Sequence, residues 1–147
     1  MISILITIIR NSAAVMKILV DTAVWSHLLR RKMPSVHPKA LLLRDLIDSE
    51  RPIYIMGIIV QELLQCVREK SQFSKMRKCL EPFPMLEPGY ETYVAAAGLA
   101  SQCREKGIQT GTIDILIAAA AIEFECHLLT TDKDFEHIAK ATHLKLL

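Results

Sequence analysis

Residues 17–25 read KILVDTAVW. An apolar run of strand length stops on a carboxylate, Asp21, and helical spacing through Val24, Leu28 and Leu29 begins at once. Far downstream the pattern returns in HLLTTDKDF (127–135), where a second apolar run ends on Asp132. A short buried strand that ends on an acid and hands over to a helix is the unit that decides the fold.

Working outward from these two stretches, the chain reads as strands separated by helices. Helical spacing is predicted over 23–32 and, after a loop marked by Pro34 and Pro38, over 38–50. RPIYIMG (51–57) is a second strand, opened by a proline and closed by a glycine. IIVQELLQCVREK (58–70) is a third helix, with apolar 59, 60, 63, 64 and 67 on one stripe and Glu62 away from it. SQFSKMRKCLEPF continues as another helix, stopped by Pro82, and PMLE is a short strand. A long helix over 89–107 ends at Gly107, a C-cap candidate. TGTIDILIAAAAIEFEC (110–126) carries the strongest helical signal, with Thr112 as its cap and Asp114 in its first turn. HLLTT (127–131), DFEHIAK and LKLL complete the chain as strand, helix and last strand. The fold class that follows is α/β, a short parallel central sheet flanked by helices on both faces.

The 147 residues are one ordinary domain, and 51% apolar content excludes disorder. A net charge of +2 permits an acidic polymer as partner without requiring one. Cys66, Cys79, Cys103 and Cys126 form no C-x-x-C pair, which argues against a zinc site or disulfide framework and for reduced thiols in a cytoplasmic protein. The apolar start, MISILITIIR, is too short to span a bilayer, and its arginine follows the apolar run where a signal peptide needs it before. Residues 1–15 are expected to be an N-terminal extension or a mis-assigned start before Met16, with the domain occupying 16–147.

In a parallel sheet, ligands gather at the carboxyl ends of the strands, where strand order reverses. Asp21 and Asp132 end strands there, and Glu62 and Asp114 sit near the starts of helices leaving the same edge. Each has a plainer reading taken singly: Asp21 with Thr22 caps a helix, Glu62 lies on a solvated face, Asp114 meets a helix dipole, and Asp132 and Asp134 are turn acids. Together they are four carboxylates at one sheet edge, which repel unless a cation lies between them. An all-oxygen set without a His or Cys cluster suits Mg2+ or Mn2+, and the chemistry that fits it is metal-assisted phosphodiester hydrolysis. Thr22, Thr112 and Thr131 flank three of the acids and can orient them.

At this point ILVDTAVW, VQELLQ, TIDILIAAAAIEF and LLTTDKDF, in this order and spacing, make the chain resemble the PIN-domain proteins, and within them the VapC toxins of bacterial and archaeal toxin–antitoxin pairs. The resemblance covers about residues 16 to 147. It implies a magnesium- or manganese-dependent endoribonuclease, a cognate VapB-like antitoxin and a homodimer, with no membrane association. It carries over Asp21, Glu62 and Asp114 as the three regular acids, with Asp132 as the fourth; Asp21, Asp114 and Asp132 are then metal ligands. Asp134 competes with Asp132 or joins it, and Thr112 matches the hydroxyl before the third acid.

The apolar helix faces and the C-terminal strand are expected to serve the second copy or the antitoxin. Arg30, Arg31 and Lys32, and a second run from Arg68 to Lys78, are candidate phosphate contacts or solvated faces, while Trp25 and Tyr54 read as core. A receiver domain or a haloacid-dehalogenase-like phosphatase would need further acids beside Asp21, and no Gly-rich phosphate loop is present. The rival reading is a PIN-like protein that binds RNA or a partner without cutting.

Overall fold

The computed structural model describes residues 15–29 and 36–147. The N-terminal extension up to residue 14 and the basic run Arg30, Arg31 and Lys32 lie outside the described residues. Five strands form one all-parallel sheet in the order β3-β2-β1-β4-β5, from β1 (Lys17–Val20), β2 (Ile53–Met56), β3 (Met85–Leu86), β4 (Cys126–Leu129) and β5 (Lys145–Leu146). Seven helices are described: α1 (Thr22–Leu29), α2 (Pro38–Asp48), α3 (Gly57–Gln65), α4 (Lys70–Leu80), α5 (Tyr90–Glu105), α6 (Thr112–Glu123) and α7 (Asp134–Ala141).

The apolar strands are explained by their position. β1 is central and covered on both faces, so Ile18, Leu19 and Val20 are fully buried and nothing in KILV needs to alternate. From β1 the chain steps outward through β2 to β3, then crosses back to β4 and steps out the other way to β5. Right-handed crossovers running in opposite directions place their helices on opposite faces. The contacts agree: α1 packs on α2 and α3, while α5, α6 and α7 pack on one another. α6 is buried nearly all round, and Ala118 to Ala121 let it lie close to the sheet.

Local chemistry sets the boundaries, and several differ from the sequence reading. The single helix expected over 58–70 is two pieces, because α3 ends at Gln65 and α4 begins at Lys70. Only Ile59 and Leu63 of α3 are fully buried, so little apolar surface holds a longer helix to the core. The strand expected to run to Thr131 stops at Leu129, where its partner β1 stops at Val20 and the ladder has no further rung. Thr112 is the first helical residue of α6, not its cap; Gly111 occupies the cap position. Gly107 leaves α5 at φ 76°, a left-handed conformation that glycine adopts freely. Among the described residues no helix is long and apolar enough to cross a membrane.

Candidate active site

β1 and β4 are neighbours, and the strand order reverses between them. Their carboxyl ends therefore open the crevice in which ligands of such sheets bind. The register pairs Val20 with Leu129, so the next residues out, Asp21 and Thr130, face each other across it. Asp21 is only 7% exposed. Its Oδ2 accepts a hydrogen bond from the Thr130 hydroxyl at 2.9 Å, and its Oδ1 accepts one from the Thr22 backbone N–H at 2.7 Å.

The other acids join through short links. The Thr130 hydroxyl accepts from the Asp132 N–H at 3.0 Å, and Asp132 Oδ1 accepts from the Asp134 N–H at 2.9 Å. The tight turn after β4 thus presents two carboxylates from one loop. Asp114, the third residue of α6, completes the group: one carboxylate oxygen from each of Asp114, Asp132 and Asp134 lies within 4.8 Å of the others. Glu62 arrives from α3, where its Oε2 accepts the Thr22 hydroxyl proton at 2.5 Å. Gly111 matters here for a steric reason. A Cβ at that position would stand 3.1 Å from Asp114 Oδ2, so glycine leaves room for the carboxylate.

Electrostatics show the strain of this gathering. The Asp21 carboxyl is pushed up to about 6, chiefly by burial; its two hydrogen bonds partly oppose the shift, and the charges of Asp114 and Glu62 add to it. Asp114 is also raised, by burial first and then by Asp132, Asp134 and Glu62. Three clustered carboxylates, two of them open to water, offer the hard oxygen donors and the vacant sides that Mg2+ or Mn2+ requires. The residues fit such an ion.

All five sequence-predicted acids therefore meet at one place, but not with equal rank. The tightest triplet contains Asp134 and not Asp21, which is tied to it through Thr130. Of the three threonines, Thr22 bridges Asp21 and Glu62. Thr131 lines a cavity of about 240 Å3 with His37, Lys39, Asp132 and Lys133, and Thr112 lines a separate groove between α5 and α6. Thr130 and Gly111 were not singled out from sequence. The signal for Thr130 was the register, since a parallel rung at 20 and 129 puts residue 130 beside residue 21.

Comparison with known proteins gives the same neighbourhood. The PIN domain family model matches residues 18–141. Among solved structures, FitAcB from Neisseria gonorrhoeae aligns at TM-score 0.67 and 20% identity, covering 88% of this chain and 96% of that one. VapBC2 from Rickettsia felis, solved bound to a DNA fragment from its promoter, aligns at 0.73 and 18%, covering 90% and 98%. VapC20 of Mycobacterium tuberculosis, a sarcin-ricin loop cleaving toxin, aligns at 0.63 and 12%, covering 87% and 98%. No curated protein sequence matches the chain.

Proposed function

Since the chain belongs to the PIN-domain family, we propose that it is a metal-dependent endoribonuclease acting as the toxin of a toxin–antitoxin pair. The observation that carries this reading is the Asp114, Asp132 and Asp134 triplet, joined through Thr130 to the buried Asp21. Solved relatives in which the fold appears include FitAcB, VapBC2 and an RNA-cleaving VapC, which supports RNA as substrate and an antitoxin as partner.

In this reading Asp114, Asp132 and Asp134 hold the ion, and Asp21 joins them from the end of β1. When bound, Mg2+ or Mn2+ supplies Lewis acidity toward phosphate oxygens and acidifies water. Thr130 and the Thr22 N–H fix both Asp21 oxygens, so that carboxylate does not have to reorganise when substrate arrives. Glu62, steadied by the Thr22 hydroxyl, takes the proton of the attacking water. Lys133 lines the cavity that shares Asp132 and is suited to an adjacent backbone phosphate, while Lys39 in the same cavity donates to the Leu147 carbonyl. The protein works in the cytoplasm, beside its RNA.

The test is cleavage of structured RNA in magnesium by the wild type and by Asp21→Asn. The wild type is expected to cut, and the variant to lose at least a hundredfold, on the order of the loss when one electrostatic catalytic group is removed. Equal cleavage by both sinks the catalytic proposal and leaves a PIN-like binding protein. For the toxin role, a short upstream gene encoding a DNA-binding protein that abolishes cleavage is the expected companion.

A further inference from the structure

Residues 68–80 are strongly basic. They hold five cations, Arg68, Lys70, Lys75, Arg77 and Lys78, against the single acid Glu69, a net +4 in a chain whose total is only +2. All five are exposed, since Met76 and Leu80 alone in α4 turn to the core. Among the described residues none of the five makes an ion pair, and Glu69 accepts from the Ser71 hydroxyl instead. Folding does not account for this charge. The helix dipole favours Arg77 and Lys78 in the last turn but opposes Lys70 in the first, and Lys75 and Lys78 repel one turn apart. An aromatic ring lies among the cations: Phe73 is 39% exposed and lines a cavity of about 260 Å3 with Arg68 and Lys70.

We propose that α4 and the turn before it bind single-stranded RNA outside the carboxylate crevice, the cations on backbone phosphates and Phe73 beneath an unpaired base. A polyanion suits a face whose cations meet no acid within the fold. Phe73 decides which polyanion. An exposed ring offers nothing to a phosphate, whereas a base stacks on it, and only unpaired bases present their faces. Lys70, Phe73 and Arg77 fall at i, i+3 and i+7, one stripe along the helix, so cation and ring alternate as phosphate and base do along a strand. The position suits a strand that also reaches the acids. α4 packs on α3, and α3 carries Glu62 to Thr22. Packed helices lie roughly 8–10 Å apart, so the basic side of α4 stands on the order of 10–20 Å from Glu62, or about three to six stacked nucleotides. The face therefore holds RNA beside the acids and not at them, and a long strand that engages both binds more tightly than either contact alone allows.

The inference rests on the ribonuclease reading for its functional meaning and gives that substrate a second contact. Its test reads binding without metal, so the two fail separately: a domain that holds RNA on α4 and never cuts keeps this inference alone. A fluorescent mixed-sequence single strand of about 20 nucleotides is titrated with the full chain in EDTA at several salt concentrations, with folding of each variant checked by circular dichroism. Lys75→Gln combined with Lys78→Gln is expected to weaken binding about tenfold and to flatten the log–log salt dependence by roughly 1.4, the share of two phosphate contacts on a single strand. Phe73→Ala is expected to weaken binding about tenfold with the salt dependence kept, as loss of one stacked base does. Lys140→Gln combined with Lys145→Gln removes the same charge from α7 and β5, at the sheet edge opposite β3, and is expected to change neither quantity. Unchanged RNA affinity in the α4 double variant overturns the proposal and leaves the face to an acidic protein. An equal loss in the Lys140 and Lys145 variant overturns it too, since net charge alone then explains binding. So does a silent Phe73→Ala, because the face then follows phosphates of any kind and not unpaired bases.

Discussion

At the scale of single residues, the site depends on two positions that carry no charge. Thr130 donates to Asp21 and accepts from the Asp132 N–H, so one hydroxyl couples the strand end of β1 to the loop after β4. Gly111 does its work by lacking a side chain. Its backbone, at φ −71° and ψ 150°, suits any residue, so alanine there brings no backbone strain. The added methyl would nonetheless stand 3.1 Å from Asp114 Oδ2 and push the carboxylate by a few tenths of an ångström. Gly111→Ala is therefore expected to keep or slightly raise stability, by about 0.5 kcal/mol, since alanine orders at lower entropic cost. The same variant is expected to lose about tenfold in RNA cleavage, because small displacements at a reacting centre are costly. Paired urea melts and initial rates check both halves; a matched loss of stability would reassign Gly111 to folding.

At the scale of elements, helix ends show where the sequence does not use its best residue. α6 closes at Phe124, and Glu125 then enters β4 at φ 55°, a left-handed conformation costing a non-glycine residue about 1 kcal/mol. Glu125 is exposed, so Glu125→Gly is expected to raise the unfolding free energy by about 1 kcal/mol with cleavage unchanged, as chemical denaturation and an RNA assay would show. The elements themselves were legible because their cause is local. KILV and CHLL are apolar because central parallel strands are covered twice, and the alanine run of α6 is helical at any register. The interruption between α3 and α4 was not legible, since the polar residues of CVRE continue a helical pattern as readily as they break one. The choice between Thr130 and Thr131 depends on strand register, and the inclusion of Asp134 on how one turn folds. Both are tertiary facts with no periodic trace. Asp21, Asp114, Asp132 and Asp134 stand at or next to element ends, which periodicity does mark, whereas Glu62 lies inside α3 and was legible only as an acid off the apolar stripe.

At the scale of the whole molecule, the acid cluster sets stability against function, and pH exposes the conflict. The Asp21 carboxyl stands at about 6 in the fold against 3.8 for the free group. A raised carboxyl means that the folded state holds the proton more tightly than the unfolded chain. Stability from this group is therefore full below about pH 4, declines as pH rises through 6, and is flat above that. The loss across the window is about 3 kcal/mol, and Asp114 shifts in the same direction. About half of that loss falls between pH 5 and 7, so at neutral pH the ion-free domain should melt lower than at about pH 5, by on the order of 5 °C. A divalent cation bound among the carboxylates stabilises the folded state, and the raised Asp21 contributes its charge mainly above pH 6, so magnesium is expected to raise Tm more at neutral pH than at about pH 5. Asp21→Asn removes the one buried carboxylate among the described residues, and the Thr130 hydroxyl can turn to accept from the new amide. That variant should melt higher than wild type in EDTA at neutral pH, with a flatter pH dependence and a smaller gain from magnesium. Scanning calorimetry on both proteins, at the two pH values with and without magnesium, separates the cases. A magnesium shift equal at both pH values would show that Asp21 does not share in holding the cation.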